Sequence, residues 1–378
     1  MGAHGSDPRI ASPPASVLVV RLGAIGDCLR VLPALARLRR GFPRAEIGWV
    51  VDSRTAPLLR DHPSIDRLHV VDARVLKSGP LAALGELRRA GSELRGARYE
   101  VAIDFHTRLK SGYLTWASAA PVRIGFDRRS GEEANHLFTN VHVSLQDRYA
   151  NRVERFLSLL GPLGLDTTWQ GWPTDTAPLR ADGTVVPDET VSWLHREAGL
   201  SIDAAALARA SHWYEAEGRP PLAVFPGTSL HREADRWPAE RWSGALRRLG
   251  DQGVASMVLW GPAEFEVAKA IAEAAGPRCR LAPPTTLAEM MALLGLFRVY
   301  TGSNTAALHM AWMQGVASVV LVGGRPWRID RPLAPVPSVM LTAGGVEPPR
   351  KRRGAAARRA VEGITEEEVV TAVRGLLG

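Results

Sequence analysis

The chain has 378 residues, of which 46% are hydrophobic, and its mean hydropathy is −0.07. This size and composition predict two globular α/β domains and argue against a membrane-spanning protein, because no segment has the roughly 18 uninterrupted apolar residues of a span. The formal net charge of +8 suits an anionic partner, but the lack of zinc-finger spacing, RNP-type aromatic motifs and basic heptads argues against nucleic acid.

Residues 1–15 are rich in Gly, Pro, Ser and Ala and lack a basic region followed by an apolar run. They therefore predict a disordered leader and not a signal peptide, which favours a cytoplasmic location. From residue 16 to 175, apolar strands alternate with helices, and this pattern predicts a first domain with a doubly wound parallel sheet. The predicted strands are 17–21, 47–51, 68–71 and 100–105, and the predicted helices are 28–40, 56–60 and 81–95. The polar stretch 125–140 predicts a long loop.

The turn after the first strand is the strongest candidate for a catalytic site. Gly23 and Gly26 allow a sharp turn, and Asp27 follows in the first turn of a helix. The positive end of a helix favours a carboxylate, so Asp27 should be ionised and able to accept a proton from a substrate hydroxyl. On spacing alone, a simple helix cap is the alternative.

Further polar side chains are predicted at the ends of neighbouring strands. Asp52 follows the second strand, and Asp104 and His106 end the fourth. Ligands of parallel sheets lie at the carboxyl ends of the strands, so these side chains are expected to approach the same crevice as Asp27.

Residues 176–219 predict an inter-domain connection with a helix at 189–197. A second domain is predicted at 220–345, with strands 222–225, 255–260, 298–301 and 317–322. Its helices are predicted to begin near Pro238 and to cover 264–275, 287–294 and 305–314, the third opened by a capping box at Thr286 and Glu289. Residues 346–378 predict a basic loop and a final helix, 366–377, that packs back on the first domain.

Two loops of the second domain could surround phosphate oxygens. Pro226-Gly-Thr-Ser229 follows a strand, and Gly302-Ser-Asn-Thr305 precedes a helix, so each offers amides and hydroxyls. Arg236 could add positive charge for a diphosphate. His309 lies one turn into the second helix, where an ordinary core histidine is the alternative to a ligand contact.

Several nucleotide-dependent classes are disfavoured. Neither glycine turn matches G-x-G-x-x-G and no P-loop is present, which argues against NAD enzymes and most kinases. Cys28 and Cys279 are too few for a disulfide framework or a zinc site and predict small core residues. Together, the two candidate phosphate-binding loops and Asp27 favour a site for a nucleotide-diphosphate ligand and an acceptor.

The sequence resembles the heptosyltransferase-type glycosyltransferases of family nine, which extend the lipopolysaccharide inner core from ADP-heptose. The resemblance runs from Val17 to the terminal helix and is most specific in Arg21-Leu-Gly-Ala-Ile-Gly-Asp27 followed by Leu32-Pro-Ala34. Supporting segments are Ala102-Ile-Asp-Phe with Ser111, Ala120-Pro-Val-Arg-Ile-Gly-Phe-Asp127, Pro226-Gly-Thr-Ser229 with Arg236-Trp-Pro238, and the His309 helix.

This resemblance implies a GT-B architecture, with two Rossmann-like domains facing a central cleft, and an inverting transfer without metal or cofactor. The first domain would bind an anionic glycolipid or glycan acceptor, and the second a nucleotide sugar, with ADP-heptose favoured. Asp27 would be the general base. The implied acceptor-side residues are Gly26, Asp104 and His106, and the implied donor-binding residues are Thr228, Ser229, Arg236, Glu264, Asn304, Thr305, Ala306 and His309. Glu264 would receive the ribose hydroxyls.

Two departures leave the donor open. Relatives usually carry Asp-Ser/Thr-Gly-x-x-His, whereas this chain has Asn304-Thr-Ala-Ala-Leu-His309, so an amide replaces a carboxylate and Ala306 narrows any close approach to the backbone. Asp235 stands where a lysine is common. The hypotheses are heptosyl transfer to a lipopolysaccharide-core or related cell-envelope acceptor, the same reaction with another nucleotide sugar, and a non-catalytic nucleotide-sugar-binding protein. The basic run 350–353 adds the hypothesis of peripheral contact with the inner face of the membrane.

Overall fold

The computed structural model describes residues 10, 13–147, 149–169, 202–228, 230–324, 326–333, 336–345, 347 and 354–378. These residues form two compact units that divide between residues 169 and 202. Most of the predicted leader, the predicted helix 189–197 and the basic run 350–353 lie outside the described residues.

The first unit contains a six-stranded parallel sheet in the order β3-β2-β1-β4-β5-β6. Its strands are β1 (Ser16–Val20), β2 (Glu46–Asp52), β3 (Arg67–Val71), β4 (Val101–Asp104), β5 (Val122–Phe126) and β6 (Val141–Val143). The central strand β1 is apolar and buried on both faces, as expected for a sheet covered by helices on both sides. Chain order reverses between β1 and β4, and sheets of this kind bind ligands at such a reversal.

The described helices of the first unit are α1 (Ile25–Leu29), α2 (Leu32–Gly41), α3 (Ala56–Leu59), α4 (Pro80–Ala97), α5 (Leu109–Ala117) and α6 (Arg152–Ser158). The prediction of one helix at 28–40 was wrong, because the chain breaks between α1 and α2. Pro33 lies in the first turn of α2, where its missing N–H leaves no helical hydrogen bond unmade. The predicted loop begins after β5 and contains a 3₁₀ turn, Asn135–Leu137.

The second unit contains a six-stranded parallel sheet in the order β12-β11-β10-β7-β8-β9. Its strands are β7 (Leu222–Phe225), β8 (Ser256–Val258), β9 (Cys279–Leu281), β10 (Val299–Ser303), β11 (Ala317–Leu321) and β12 (Ser338–Leu341). Chain order reverses between β7 and β10. Both sheets thus follow the doubly wound order, and the predicted fold class of two doubly wound α/β domains is confirmed.

The described helices of the second unit are α7 (Ala204–Ala216), α8 (Ala239–Asp251), α9 (Phe265–Ala275), α10 (Leu287–Leu294), α11 (Ala306–Trp312), α12 (Ala355–Glu362) and α13 (Glu366–Leu377). The predicted capping box opens α10, and Thr286 accepts a hydrogen bond from the backbone N–H of Glu289. Helix α7, which the sequence assigned to the connection, packs against α10 within this unit.

The final helix was expected to pack on the first domain, and this expectation was wrong. Helix α13 packs against α8 and the sheet of the second unit. Its residues Val369, Val370 and Val373 are buried in the same apolar core as Trp242 of α8. The helix lies there because these valines form one apolar face that needs a partner.

Both cysteines are buried and free of disulfide bonds, as predicted for small core residues. Burial raises the pKa of the Cys28 thiol to about 12, so this group is a neutral part of the core. In the part of the chain that the structure describes, no helix is both long and apolar enough to cross a membrane.

Candidate functional site

Asp27 lies on α1, directly after the turn that follows β1, at the reversal of the first sheet. Its carboxylate is shared by three arginines. Arg21 forms an ion pair with Oδ2, and Arg30 and Arg152 place guanidinium nitrogens 3.1 Å and 3.4 Å from Oδ1. Positive charge at this range favours the ionised carboxylate.

Arg21 is the most enclosed of the three. Its Nη1 donates to the carbonyl of Phe105 at 2.7 Å, while Nη2 donates to Asp27. Burial lowers the pKa of Arg21, and the nearby Asp27 carboxylate opposes that shift. The side chain therefore ties the end of β4 to α1 and fixes one side of the carboxylate.

The other two arginines approach Asp27 from different parts of the chain. Arg30 is one turn further along and donates through Nε to the carbonyl of Gly26 at 3.1 Å. Arg152 comes from α6, and its side chain is 24% exposed, compared with 5% for Arg21 and 9% for Arg30. Arg152 is therefore the member of the cluster that a solvent-borne anion can reach most readily.

His106 is held neutral beside this cluster. The backbone N–H of Leu22 donates to Nδ1 at 3.2 Å, which places the imidazole proton on Nε2. Burial and the neighbouring Arg21 lower the pKa of His106 to about 3. At physiological pH, His106 can donate a hydrogen bond through Nε2 but carries no charge.

Asp104 organises the turn that carries His106. Its Oδ1 accepts from the backbone N–H groups of His106 and Thr107 at 2.8 Å and 3.0 Å, and its Oδ2 accepts from Asn135 at 2.7 Å. The side chain is fully buried, and burial raises its pKa. The structure therefore corrects the expectation of a ligand-facing Asp104, because the turn encloses its carboxylate.

Asp52 also reaches the same edge of the first sheet, but it too holds a turn. It accepts from the backbone N–H of Arg54 and Thr55 at 3.0 Å and 3.1 Å and pairs with the Arg54 side chain. A Cβ at Gly23 would lie 2.8 Å from Oδ2 of Asp52. Glycine at this position therefore allows the β1–α1 turn to pass close to the end of β2.

In the second unit, Thr228, Arg236 and Glu264 lie together near the reversal between β7 and β10. Arg236 donates through Nε to the Thr228 hydroxyl at 3.0 Å, and its Nη2 is 4.0 Å from Oε1 of Glu264. A Cβ at Gly227 would lie 2.6 Å from Cγ of Glu264. The glycine leaves room for the Glu264 side chain, so these three polar groups can share one space.

The remaining predicted donor residues begin at the end of β10. Asn304 follows that strand, Thr305 occupies the N-cap position of α11 without a side-chain cap hydrogen bond, and Ala306 is the first residue of α11. His309 lies further along α11 with 2% of its surface exposed, among apolar neighbours. The predicted residue Ser229 lies outside the described residues.

Two partners of predicted site residues were not found from the sequence. Arg152 is 125 positions from Asp27, and Asp330, to which Asn304 donates a hydrogen bond, is 26 positions from Asn304. Neither has a local pattern that marks it. Arg30 had a signal, since residues three apart on a helix are neighbours.

The chemical capacity of the two units differs. The first places one carboxylate among three arginines, which suits proton removal beside an anionic group. The second places an arginine, a hydroxyl and a carboxylate together, which suits a diphosphate and sugar hydroxyls. Among the described residues, no group of three or more His, Cys, Asp or Glu side chains is arranged to hold a metal ion.

Residues 87–335 match the sequence profile described as glycosyltransferase family 9 (heptosyltransferase). The chain is 27% identical to lipopolysaccharide heptosyltransferase 1 of Pseudomonas aeruginosa over 313 residues, which cover 81% of this chain and 78% of the relative. It is 24% identical to lipopolysaccharide heptosyltransferase 2 of Escherichia coli over 370 residues, which cover 96% of this chain and 98% of the relative.

Solved structures share the fold. The glycosyl transferase family 9 protein from Veillonella parvula superposes with a TM-score of 0.74 at 21% identity and covers 97% of this chain and 99% of its own. The E. coli heptosyltransferase WaaC with ADP-2-deoxy-2-fluoro heptose gives a TM-score of 0.68 at 20% identity, with 95% and 99% covered. At these identities the likeness establishes the fold alone.

Proposed function

The chain belongs to glycosyltransferase family 9, and from that premise we propose that it transfers a heptose from ADP-heptose to a lipopolysaccharide-core or related cell-envelope acceptor. The names of its relatives support heptosyl transfer and the acceptor class, and the ADP-heptose analogue named with the E. coli WaaC structure supports the donor. The observation that carries the proposal is the Asp27 carboxylate among three arginines at the reversal of the first sheet. We also propose a cytoplasmic location for this activity.

In the proposed reaction, the acceptor hydroxyl oxygen attacks the anomeric carbon of the donor sugar. Asp27 accepts the hydroxyl proton, the new C–O bond forms, and the bond to the diphosphate oxygen breaks with its electron pair, so that ADP leaves. Attack opposite the leaving group inverts the anomeric centre. The proposed proton transfer to Asp27 accompanies C–O bond formation.

The leaving diphosphate gains negative charge as the bond breaks. Arg236, held by Thr228, is the side chain proposed to stabilise that charge, together with Ser229 and Thr305. Glu264 accepts the ribose hydroxyls. Ala306 and His309 complete the proposed donor set, and a fixed guanidinium supplies the positive charge that a divalent ion would otherwise provide.

The acceptor is proposed to be anionic. Arg152 is partly exposed beside Asp27, so it can bind a carboxylate or phosphate on the sugar whose hydroxyl reacts. His106, in the turn after β4, and the backbone at Gly26, in α1, would orient that sugar. If the Arg152 guanidinium moves from Asp27 to the acceptor, Oδ1 of Asp27 keeps one arginine partner, Arg30, instead of two and can more easily take the proton.

Turnover tests this proposal. Wild type should release ADP from ADP-heptose in a manner that depends on a lipopolysaccharide-core acceptor, and Asp27→Asn should lose at least about 100-fold in kcat, the usual share of a general base. ADP affinity should stay unchanged in that variant. Asp61→Asn, an exposed acid of the same unit, is the control and should retain full rate.

The other outcomes separate the two alternatives. Turnover with another nucleotide sugar, but not with ADP-heptose, would keep the reaction and change the donor, as the Asn304 position allows. Donor binding without turnover in any combination, and equal behaviour of Asp27→Asn and wild type, would favour a non-catalytic nucleotide-sugar-binding protein.

Contact with an anionic membrane surface is the second part of the proposal. Leu81 on α4 and Leu109 and Trp116 on α5 are 84%, 49% and 50% exposed. Leu109 and Trp116 are seven positions apart and share one face of α5. Two exposed lysines lie near these side chains in sequence: Lys77 precedes α4, and Lys110, which follows Leu109, donates to the carbonyl of Leu76 at 3.5 Å. Apolar side chains edged by lysines fit an anionic lipid headgroup region.

The position of this patch agrees with a lipid-linked acceptor. Helix α5 begins three residues after His106, at the carboxyl edge of the first sheet. A double variant, Leu81→Asp with Leu109→Asp, should lose salt-sensitive co-sedimentation with phosphatidylglycerol vesicles, whereas Leu207→Asp, at an exposed position of α7, should bind as wild type does. Equal binding of all three proteins would contradict this role, and a change in oligomeric state of the double variant would assign the patch to a second copy.

A further inference from the structure

The amide that replaces the family carboxylate in the second unit has an acidic partner of its own. Asn304 donates through Nδ2 to Oδ2 of Asp330 at 3.2 Å, and both side chains are buried, with 9% and 3% of each residue exposed. Asp330 follows the 3₁₀ turn Trp327–Ile329, and its backbone N–H donates to the carbonyl of Trp327 at 3.0 Å. The turn therefore fixes the carboxylate beside the end of β10.

This contact decides which way the amide of Asn304 points. A carboxylate can only accept hydrogen bonds, so the group of Asn304 that faces Asp330 must be the NH₂ group. The Oδ1 atom then points away from Asp330. Without the carboxylate, the two orientations of an amide differ little in shape, and either the oxygen or the NH₂ group could face a ligand.

The Asp330 carboxylate also strengthens the Asn304 amide as a hydrogen-bond acceptor. A hydrogen bond from an amide N–H to a charged carboxylate is stronger than one between neutral groups. It polarises the amide, and hydrogen bonds in a chain strengthen one another, so Oδ1 becomes a better acceptor than that of a solvated asparagine. Asn304 backed by Asp330 thus approaches the acceptor character of an aspartate at position 304.

We propose that Asp330 is a positioning residue that orients and polarises Asn304, so that Oδ1 accepts a hydrogen bond from a hydroxyl of the donor sugar. This inference rests on the proposed donor site in the second unit. Asn304 follows β10, which is paired with β7, and β7 leads to Thr228. The negative charge that relatives carry at position 304 then lies on Asp330, one side chain further from the ligand. The proposed donor is still a nucleotide sugar, with a free hydroxyl that faces Asn304.

Exchanging the two side-chain types tests the proposal. Asp330→Asn removes the charge without a change of shape, and Asn304→Asp places two carboxylates in contact, which repel each other. The double variant Asn304→Asp with Asp330→Asn restores one carboxylate and one amide in reversed positions. Glu273→Gln removes an exposed carboxylate from α9 of the same unit and is the control for charge alone.

The readout is the affinity for ADP-heptose compared with that for ADP, which lacks the sugar, measured by calorimetry on the full chain. We expect each single variant to weaken ADP-heptose binding about tenfold, as a lost hydrogen bond to a charged partner predicts, with ADP affinity unchanged within about twofold. The double variant should recover to within about threefold of wild type. For Asn304→Asp, ADP-heptose affinity should also rise as pH falls, because one carboxylate of the pair takes a proton.

Three results would overturn the inference: a parallel loss of ADP affinity, which indicates a structural role; no effect of Asp330→Asn; and a double variant no better than the weaker single one. If wild type binds another nucleotide sugar, the same comparison is made with that donor and its nucleoside diphosphate. If wild type binds no nucleotide sugar, the proposed function is refuted together with this inference. If wild type binds one and the variants give any of the three results above, only this inference is refuted, so the two failures are distinguishable.

Discussion

The Gly227→Ala substitution should weaken ADP binding at the proposed donor site while the protein stays folded. Gly227 has no Cβ, and the position of one would lie 2.6 Å from Cγ of Glu264 and 2.9 Å from Cε1 of Phe225. Both distances are below normal carbon contact, so the Glu264 side chain must move. The backbone of Gly227 is not in the left-handed region, so the effect comes from space alone.

The substitution should lower both the stability of the fold and the affinity for ADP. Overpacking of this size typically destabilises a fold by about 1–3 kcal/mol. If Glu264 accepts the ribose hydroxyls, its displacement removes hydrogen bonds to a charged group, worth about 1.5–3 kcal/mol. At about 1.4 kcal/mol per tenfold change, ADP affinity should fall about 10- to 100-fold.

The assay is calorimetric titration with ADP, accompanied by urea unfolding to confirm a folded protein. Gly250→Ala is the matched control, because its Cβ would lie 3.4 Å from the nearest heavy atom, Cβ of Arg278. That variant should keep ADP affinity and lose no stability. Gly261→Ala, whose Cβ would lie 2.8 Å from Oε2 of Glu264, should weaken ADP binding by a similar factor. ADP affinity within twofold of wild type in a folded Gly227→Ala protein would refute the placement of Glu264 at the nucleotide.

Other regions give further predictions. Gly85→Ala should stabilise the protein by about 0.5–1 kcal/mol in urea unfolding, because the position is inside α4 and a Cβ there meets no atom within 4 Å; a loss of stability would contradict this. Arg152→Gln should raise the acceptor KM about tenfold while the donor KM stays constant, and equal changes in both would count against an acceptor role. His106 has a pKa of about 3, below its usual 6.5, so the unfolded chain takes up its proton first and stability falls as pH drops from 6.5 towards 3, by up to about 1.4 kcal/mol per pH unit. His106→Asn should flatten urea-derived stability over that range, and an unchanged slope would argue against a neutral His106. Turnover should persist in EDTA, and its loss with recovery on Mg²⁺ would contradict metal independence.

Elements with strong local signals were predicted closely from the sequence. Strand β7 and helices α10 and α13 have the predicted bounds, since β7 is a continuous apolar run and α10 begins with the Thr286 capping box. Strands β6, β9 and β12 lie at sheet edges, have three or four residues and are only partly buried. The sequences of such strands have little hydrophobic periodicity. These strands therefore become evident only from their pairing with a neighbouring strand in the folded sheet.

In the candidate site too, features with a local sequence signal were predicted and features that depend on long-range packing were not. The glycine turn and the following carboxylate predicted the location of Asp27, because chain geometry over a few residues determines it. The surrounding charge was not predicted, since Arg152 reaches Asp27 through the packing of α6. In the same way, the substitution at Asn304 was visible in the sequence, but its partner Asp330 became evident only from the folded turn.

The packing of α13 also bears on how the chain acquires its structure during synthesis. Domains generally fold as units while the ribosome is still translating, the N-terminal one first. The first unit has all its strands once residue 143 has been made, whereas the second lacks part of its core until Val373 has been added. A nascent chain arrested before residue 366 would combine a complete first unit with a second whose apolar interior is open, and it would be a substrate for chaperones or proteases.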